Sequence, residues 1–232
     1  PMRYFLLSII LLPQVAMAMH LSPMERELVI FPAGPIGEIK LHLQNMESEP
    51  RSFKIEVLKR SEDENGVERR TKTSDLTLAA ADASPLVSSR IGPGEVRELT
   101  LRYTGNRGIS SEQAYRLIVT ETTGAIRMKI ISSIYVRPEQ AKADLQTDGH
   151  AQRLTADRIQ VVLQNKGKAH QRLDGYVPVL RFSDTNVQLK SETLAAWDKE
   201  NVLSGMKRVI RLDAETPIPP NAKLVFSLVR RH

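Results

Sequence analysis

The sequence contains no cysteine. No disulfide can staple it, so the small secreted scaffolds that depend on such bonds are excluded, as are thiol catalysis and cysteine-ligated metals. Core packing must hold the fold. Aromatic residues are scarce, 5% of the chain with a single tryptophan, and offer no platform on which bases would stack. The net charge of +6 therefore reads as a basic, soluble surface suited to partners that present carboxylates, not nucleic acid. Histidine is also rare: His20, His42, His150, His170 and His232 fall in no HExxH or other paired ligand spacing. There is no G-x-S-x-G elbow, no Walker loop and no G-x-G-x-x-G. Nothing sets a nucleophile beside a base, so the chain reads as a non-enzyme without cofactor or metal. Glu62-Asp63-Glu64 is acidic but lacks the ligand pattern of a calcium loop. It adjoins the turn dipeptide Asn65-Gly66 and is expected at a solvated hairpin tip.

Long apolar runs are missing as well, with one exception at the N-terminus. Arg3 precedes the apolar stretch Tyr4–Leu12, Pro13-Gln14 breaks it, and Ala16-Met17-Ala18 supplies the small residues a signal peptidase reads. The stretch is too short to span a bilayer, which takes about 20 residues. Residues 1–18 are read as a signal peptide cleaved after Ala18, which places the remainder in the periplasm as a soluble protein with no membrane segment. Its length suits two domains of roughly 100 residues each.

What is present past residue 18 is a series of short alternating runs divided by turn residues, the pattern of all-β sandwiches. Leu28-Val29-Ile30-Phe31 is a strand ended by Pro32-Ala33-Gly34-Pro35. Glu38–Asn45 alternates, with Ile39, Leu41 and Leu43 toward a core, and Ser52–Leu58 repeats this with Phe53, Ile55 and Val57. Arg60–Thr73 is a polar hairpin about Asn65-Gly66. Ile91-Gly92-Pro93-Gly94-Glu95 turns into a strand carrying Val96, Leu99 and Leu101, and Tyr115–Thr120 follows. Ala125–Val136 is the longest strand candidate, stopped by Arg137-Pro138. Glu139–Gly149 is polar and reads as a linker. The pattern restarts with Ile159, Val161 and Leu163, then Tyr176–Phe182, Val187–Leu189, Arg208–Leu212 and Ala222–Val229. Leu194–Asn201 reads as a helical turn around a packing Trp197. Leu43-Gln44-Asn45 recurs as Leu163-Gln164-Asn165, and Leu203-Ser204-Gly205 echoes Gly92-Pro93-Gly94. The chain is thus all-β, with two immunoglobulin-like sandwiches in tandem at 19–138 and 150–232, joined by a linker at 139–149.

In this order the pieces resemble the PapD-like periplasmic chaperones of pilus and fimbrial assembly. The resemblance rests on Val29-Ile30-Phe31, the Leu-x-Leu-x-Asn ending at Asn45, Ser84-Pro85 and Gly92-Pro93-Gly94-Glu95. It continues through Tyr115-Arg116-Leu117 and Ile134-Tyr135-Val136-Arg137-Pro138, and more loosely Leu163-Gln164-Asn165-Lys166-Gly167. It implies a chaperone that lends its long strand to an incomplete pilin or fimbrial subunit and delivers the subunit to an outer-membrane usher. Ala125–Val136 meets that demand: Ile126, Met128 and Ile130 lie on one face, with Arg127 and Lys129 between them. The resemblance also implies two basic residues that hold the client's C-terminal carboxylate in the interdomain cleft. Those positions fall on Leu28 and Ser133, neither of them basic. The chain therefore resembles a divergent branch that lacks the usual pair. Lys129 with Arg102 is the favoured substitute, and Arg116 and Arg26 are further candidates. Two alternatives stay open: a fimbrial structural subunit or adhesin, and another periplasmic immunoglobulin-like binding protein. A subunit would carry a donor extension, for which His20-Leu21-Ser22-Pro23 leaves little room.

Overall fold

The computed structural model describes residues 19–34, 37–79, 88–124 and 127–231. The signal-like segment, Ser84-Pro85 and Ile126 lie outside these. The first domain contains β1 (Met19–Ser22), β2 (Glu25–Ile30), β3 (Glu38–Asn45), β4 (Arg51–Glu62), β5 (Glu68–Lys72), β6 (Leu76–Ala79), β7 (Ser88–Ile91), β8 (Val96–Tyr103), β9 (Gln113–Glu121) and β10 (Lys129–Pro138). One sheet has the order β1-β3-β8-β6. The other runs β2-β10-β9-β4-β5, with β7 also on β4. The alternation read from the sequence sets which faces meet. Ile39, Leu41 and Leu43 from β3 and Phe53 and Ile55 from β4 are buried, and join Leu99, Leu101, Leu117 and Val119 in one core. Each such side chain contributes about 1.5–3 kcal/mol by leaving water.

Three expectations about elements change. The strand expected from Ala125 begins at Lys129, because its neighbour β9 ends at Glu121 and the last ladder bond runs from Glu121 N–H to Met128 O at 2.9 Å. Beyond that bond, alternation alone does not make a strand. Among the described residues the longest strand is β4, with 12 residues against 10 for β10. The polar stretch read as a linker is partly strand, since the second domain's first strand, β11, spans Leu145–Arg153. Its polar residues Gln146, Asp148, His150 and Gln152 are exposed, which lowered its apolar content and hid it.

The second domain continues with β12 (Arg158–Asn165), β13 (Gln171–Arg172), β14 (Tyr176–Phe182), β15 (Thr185–Val187), α1 (Ser191–Trp197), β16 (Asn201–Val202), β17 (Lys207–Asp213) and β18 (Leu224–Arg230). A six-stranded sheet runs β15-β14-β18-β11-β12-β17, and β13 pairs with β16. The register of β11 on β12 shifts between Thr147 and Ala151, and Gly149 there has φ +78°. A bulge of this kind bends a strand. It lets the two halves of the sheet face each other across Ile159, Val161, Leu163, Leu180, Leu212 and Phe226. Trp197, at the end of α1, is 1% exposed, and its indole N–H donates to the carbonyls of Leu173 and Tyr176, both at 3.0 Å. It has the packing role expected of it.

The tripeptide echo has a structural cause. Asn45 and Asn165 are both fully buried. Asn45 Nδ2 donates to the carbonyls of Glu49, Ile91 and Gly92, and its Oδ1 accepts from Glu47 N–H. Asn165 Nδ2 donates to Ala169 and Val202, and its Oδ1 accepts from Gly167 N–H. Each backbone N–H closes on the matching turn, Asn45 on Glu95 O and Asn165 on Met206 O. Gly94 and Gly205 occupy the left-handed region in those turns, at φ +67° and +72°.

Candidate functional site

The first feature is an edge. β10 pairs with β9 along Lys129–Val136, but β2 covers its other side only over Ser133–Pro138. Among the described residues no strand lies against the outer edge of Lys129–Ser132. On that side Ser133 N–H donates to Met24 O at 2.9 Å. By strand alternation, the backbone groups of Lys129 and Ile131 then point outward along the uncovered edge. Such an edge is a template for another strand. Met128 and Ile130 share the face of Ile134 and Val136 and lie half-buried against the first core. Arg127 and Lys129 are exposed.

The second feature is a cleft between the domains. Register places Ser133 beside Arg116, Ala114 beside Arg60, and Glu62 beside Glu68. Directly paired residues share a sheet face, so these side chains form one surface, and the second domain covers it. Tyr135 is its buried centre. The Tyr135 ring stacks on His170 at 3.8 Å, and its hydroxyl accepts from Asn201 Nδ2 at 2.6 Å and Arg60 Nη1 at 3.2 Å. Glu112 accepts from His170 N–H at 3.0 Å, and its carboxylate lies 3.0 Å from the His170 ring Nδ1. At the β4–β5 hairpin tip, Glu62 is buried between Arg60 and Arg208, and Val209 N–H donates to Glu64 O at 2.7 Å. Glu62 is therefore not at a solvated tip as expected: the second domain packs over it, and its charge is matched by two guanidinium groups.

A cavity of about 120 Å³ opens in this cleft, lined by the cations Arg60, Arg116, Arg172 and Lys199, by Ser133 and Asn201, and by the carboxylates of Glu25 and Glu200. Glu200 is committed to Arg208. Arg116 is held from behind: Nε and Nη2 donate to Glu68 at 2.9 and 2.5 Å, and Nη1 donates to the Ser133 hydroxyl. A guanidinium has five N–H donors, so two of those on Arg116 have no hydrogen-bond partner among the described residues. Arg60 Nε also lies 3.0 Å from Glu68, an ion-pair contact without hydrogen-bond alignment. Burial disfavours the charged form of Glu68. The hydrogen bonds from Arg116 and Arg70 and the charges of Arg116 and Arg60 outweigh it, holding the carboxyl below its ordinary range.

The sequence candidates separate on this frame. Arg116 lines the cavity. Lys129 shares the face of Ser133 but is exposed at the start of β10, four positions away. Arg102 belongs to the other sheet, on β8, where its Nε donates to Glu38 at 2.8 Å. The structure does not bring Lys129 and Arg102 together. Arg26 pairs in register with the core residue Ile134 and so sits on the side away from the cleft. Leu28 is likewise a core residue. The cleft-side positions of β2 are Glu25 and Glu27, paired with Ser133 and Tyr135. Sequence reasoning missed Arg60, Arg172 and Lys199. None carried a signal: Arg60 falls on the non-core phase of the alternating run, opposite Phe53, Ile55 and Val57, and Arg172 and Lys199 come from the other domain.

No protein-family model and no curated protein matches the sequence. Solved structures do match the fold. One is the CsuC–CsuE chaperone–tip adhesion subunit pre-assembly complex of archaic Csu pili from Acinetobacter baumannii, with TM-score 0.56, 16% identity, and coverage of 83% of this chain and 89% of that one. Another is the class 5 fimbriae chaperone CfaA, with TM-score 0.54, 11% identity, and coverage of 92% and 100%. A third is the E. coli chaperone DraB, with TM-score 0.52, 14% identity, and coverage of 92% and 95%. These matches extend over 83–92% of this chain, so the chain has the two-domain, immunoglobulin-like fold of the PapD-like fimbrial chaperones.

Proposed function

We propose that the protein is a periplasmic chaperone that binds a pilus or fimbrial subunit by strand addition at β10 and passes it to an outer-membrane usher. The observation that carries this is the uncovered edge at Lys129–Ser132, which leads along the same strand into a cation-lined cleft at Ser133. Strand addition needs free backbone groups for pairing and apolar side chains at alternate positions. Met128 and Ile130 supply those side chains, with Ile126 continuing the alternation. The resembled chaperones lodge the client's carboxylate in the cleft. Here Arg116, with Arg172 and Lys199, takes that role in place of Lys129 with Arg102. Ser133 stands where the family has a basic residue, and Arg116 on the neighbouring strand donates to its hydroxyl. A carboxylate meeting the two remaining Arg116 donors gains charge-assisted hydrogen bonds, worth about 1.5–3 kcal/mol each.

The test is co-production in the periplasm with candidate fimbrial subunits. The wild-type protein is expected to co-purify with one of them from the periplasm, and Arg116→Gln to lose most of it while keeping its thermal midpoint within a few degrees. A folded Arg116→Gln variant that retains the subunit in full removes Arg116 from the anchor.

A further inference from the structure

Of the two carboxylates lining the cleft cavity, Glu25 has no partner within its own domain among the described residues. It opens β2 beside Ser133 and reaches across to the second domain, where both its oxygens lie 3.4 Å from Arg172 Nη1. Arg172 meanwhile makes shorter bonds to its own neighbour Asp174, at 3.0 and 2.8 Å. The Glu25–Arg172 contact is long and exposed, the kind of ion pair that adds little stability and exchanges readily with solvent or another anion. Glu68 differs in every respect. It is mostly buried and held by Arg116, Arg70 and Arg60, and it lies outside the cavity lining. Glu68 orients Arg116, whereas Glu25 occupies the space a guest carboxylate would enter.

We infer that Glu25 is a built-in competitor: in the free protein its carboxylate stands in for the client's at Arg172, and a client carboxylate displaces it. This rests on the assignment of the cleft as a carboxylate site. It adds a specificity-determining residue to that site, and it couples client binding to loss of a contact between the domains. A carboxylate that also reaches the free donors of Arg116 outcompetes Glu25, while a chloride or a neutral amide end does not, since neither bridges two guanidinium groups in a bidentate manner. The uncapped client end is thereby selected over nonspecific anions in the basic cleft.

Sodium acetate is a sufficient probe, titrated against sodium chloride at equal ionic strength and followed by the side-chain Nε–H resonances of Arg116 and Arg172. Weak acetate binding is expected for the wild-type protein, about ten-fold tighter binding for Glu25→Gln, and none for Arg116→Gln in either background. Glu25 lies at an exposed strand start, and circular dichroism checks that each variant is folded. In the wild-type protein the Glu25 carboxyl carbon resonance should also move toward that of a free glutamate as acetate saturates. Equal acetate affinities in wild type and Glu25→Gln, with Arg116 still required, would overturn the competitor role and leave the carboxylate site standing. An unmoved Glu25 resonance at saturation would do the same. Absence of acetate binding in both folded proteins would remove the carboxylate site and the inference together.

Discussion

Asn45 and Asn165 show how much a single side chain organises in this fold. Each is sealed from solvent and holds carbonyls at a strand end and in the adjoining turn, Ile91 and Gly92 for Asn45, Val202 and Ala169 for Asn165. Asn45→Ala removes the side-chain partner of the buried Ile91 carbonyl and of the partly buried Glu49 carbonyl and Glu47 N–H, at roughly 1–3 kcal/mol per group left unpaired. A loss of about 3 kcal/mol in urea unfolding is expected, with a loss of similar size for Asn165→Ala. The two sites lie in different domains, so the effects should add. The recurrence of these asparagines was legible as a repeated tripeptide, but their job was not, because their partners at Ile91, Gly92 and Val202 are distant in sequence. Glu68 makes a different prediction at this scale. Its folded pKa is depressed, so the stability it contributes is present above the unfolded value of about 4.3 and is lost as pH falls through the lower folded value. Glu68→Gln should therefore flatten the acid side of the stability profile. Urea midpoints measured between about pH 6 and pH 3 would show this, and an unchanged acid slope would contradict it.

Among the elements, β10 is where alternation and neighbourhood part company. The apolar periodicity from Ala125 onward was visible, and it located the strand. Its start was not visible, because a strand exists only where a neighbour offers hydrogen bonds, and β9 stops at Glu121. The β4–β5 hairpin gives the complementary case. Its turn at Asn65-Gly66 was readable, with Gly66 at φ +80° and Asp63 Oδ1 accepting from Asn65 and Val67 N–H at 3.0 and 2.9 Å. The burial of Glu62 beneath the second domain had no local signature. Arg208→Ala removes one of the two guanidinium groups around Glu62 and should loosen the hairpin from β17. Amide exchange at Val209 should then rise several-fold, since its N–H donates across the contact to Glu64 O.

Across the whole molecule, the two sandwiches share a continuous contact of stacked rings, the buried Glu62–Arg208 ion pair and the small apolar group Ala114, Tyr135 and Leu203. That contact fixes the cleft in which Arg116 from one domain faces Arg172 and Lys199 from the other. The sequence showed that two β-domains exist, since each carries its own periodicity and turns. It could not show their facing surfaces, and so favoured Lys129 with Arg102, which the fold places on different sheets. Edge and cleft belong to one strand, and the functional account depends on a client using both. The most direct measurement is co-purification of a fimbrial subunit from the periplasm with the wild-type protein and with a variant carrying Asp at Ile126, Met128 and Ile130. A charged side chain at each apolar position should remove the subunit from the complex, with the variant still folded by circular dichroism. Undiminished subunit recovery by that folded variant would contradict strand addition at β10 and, with it, the proposed chaperone mechanism.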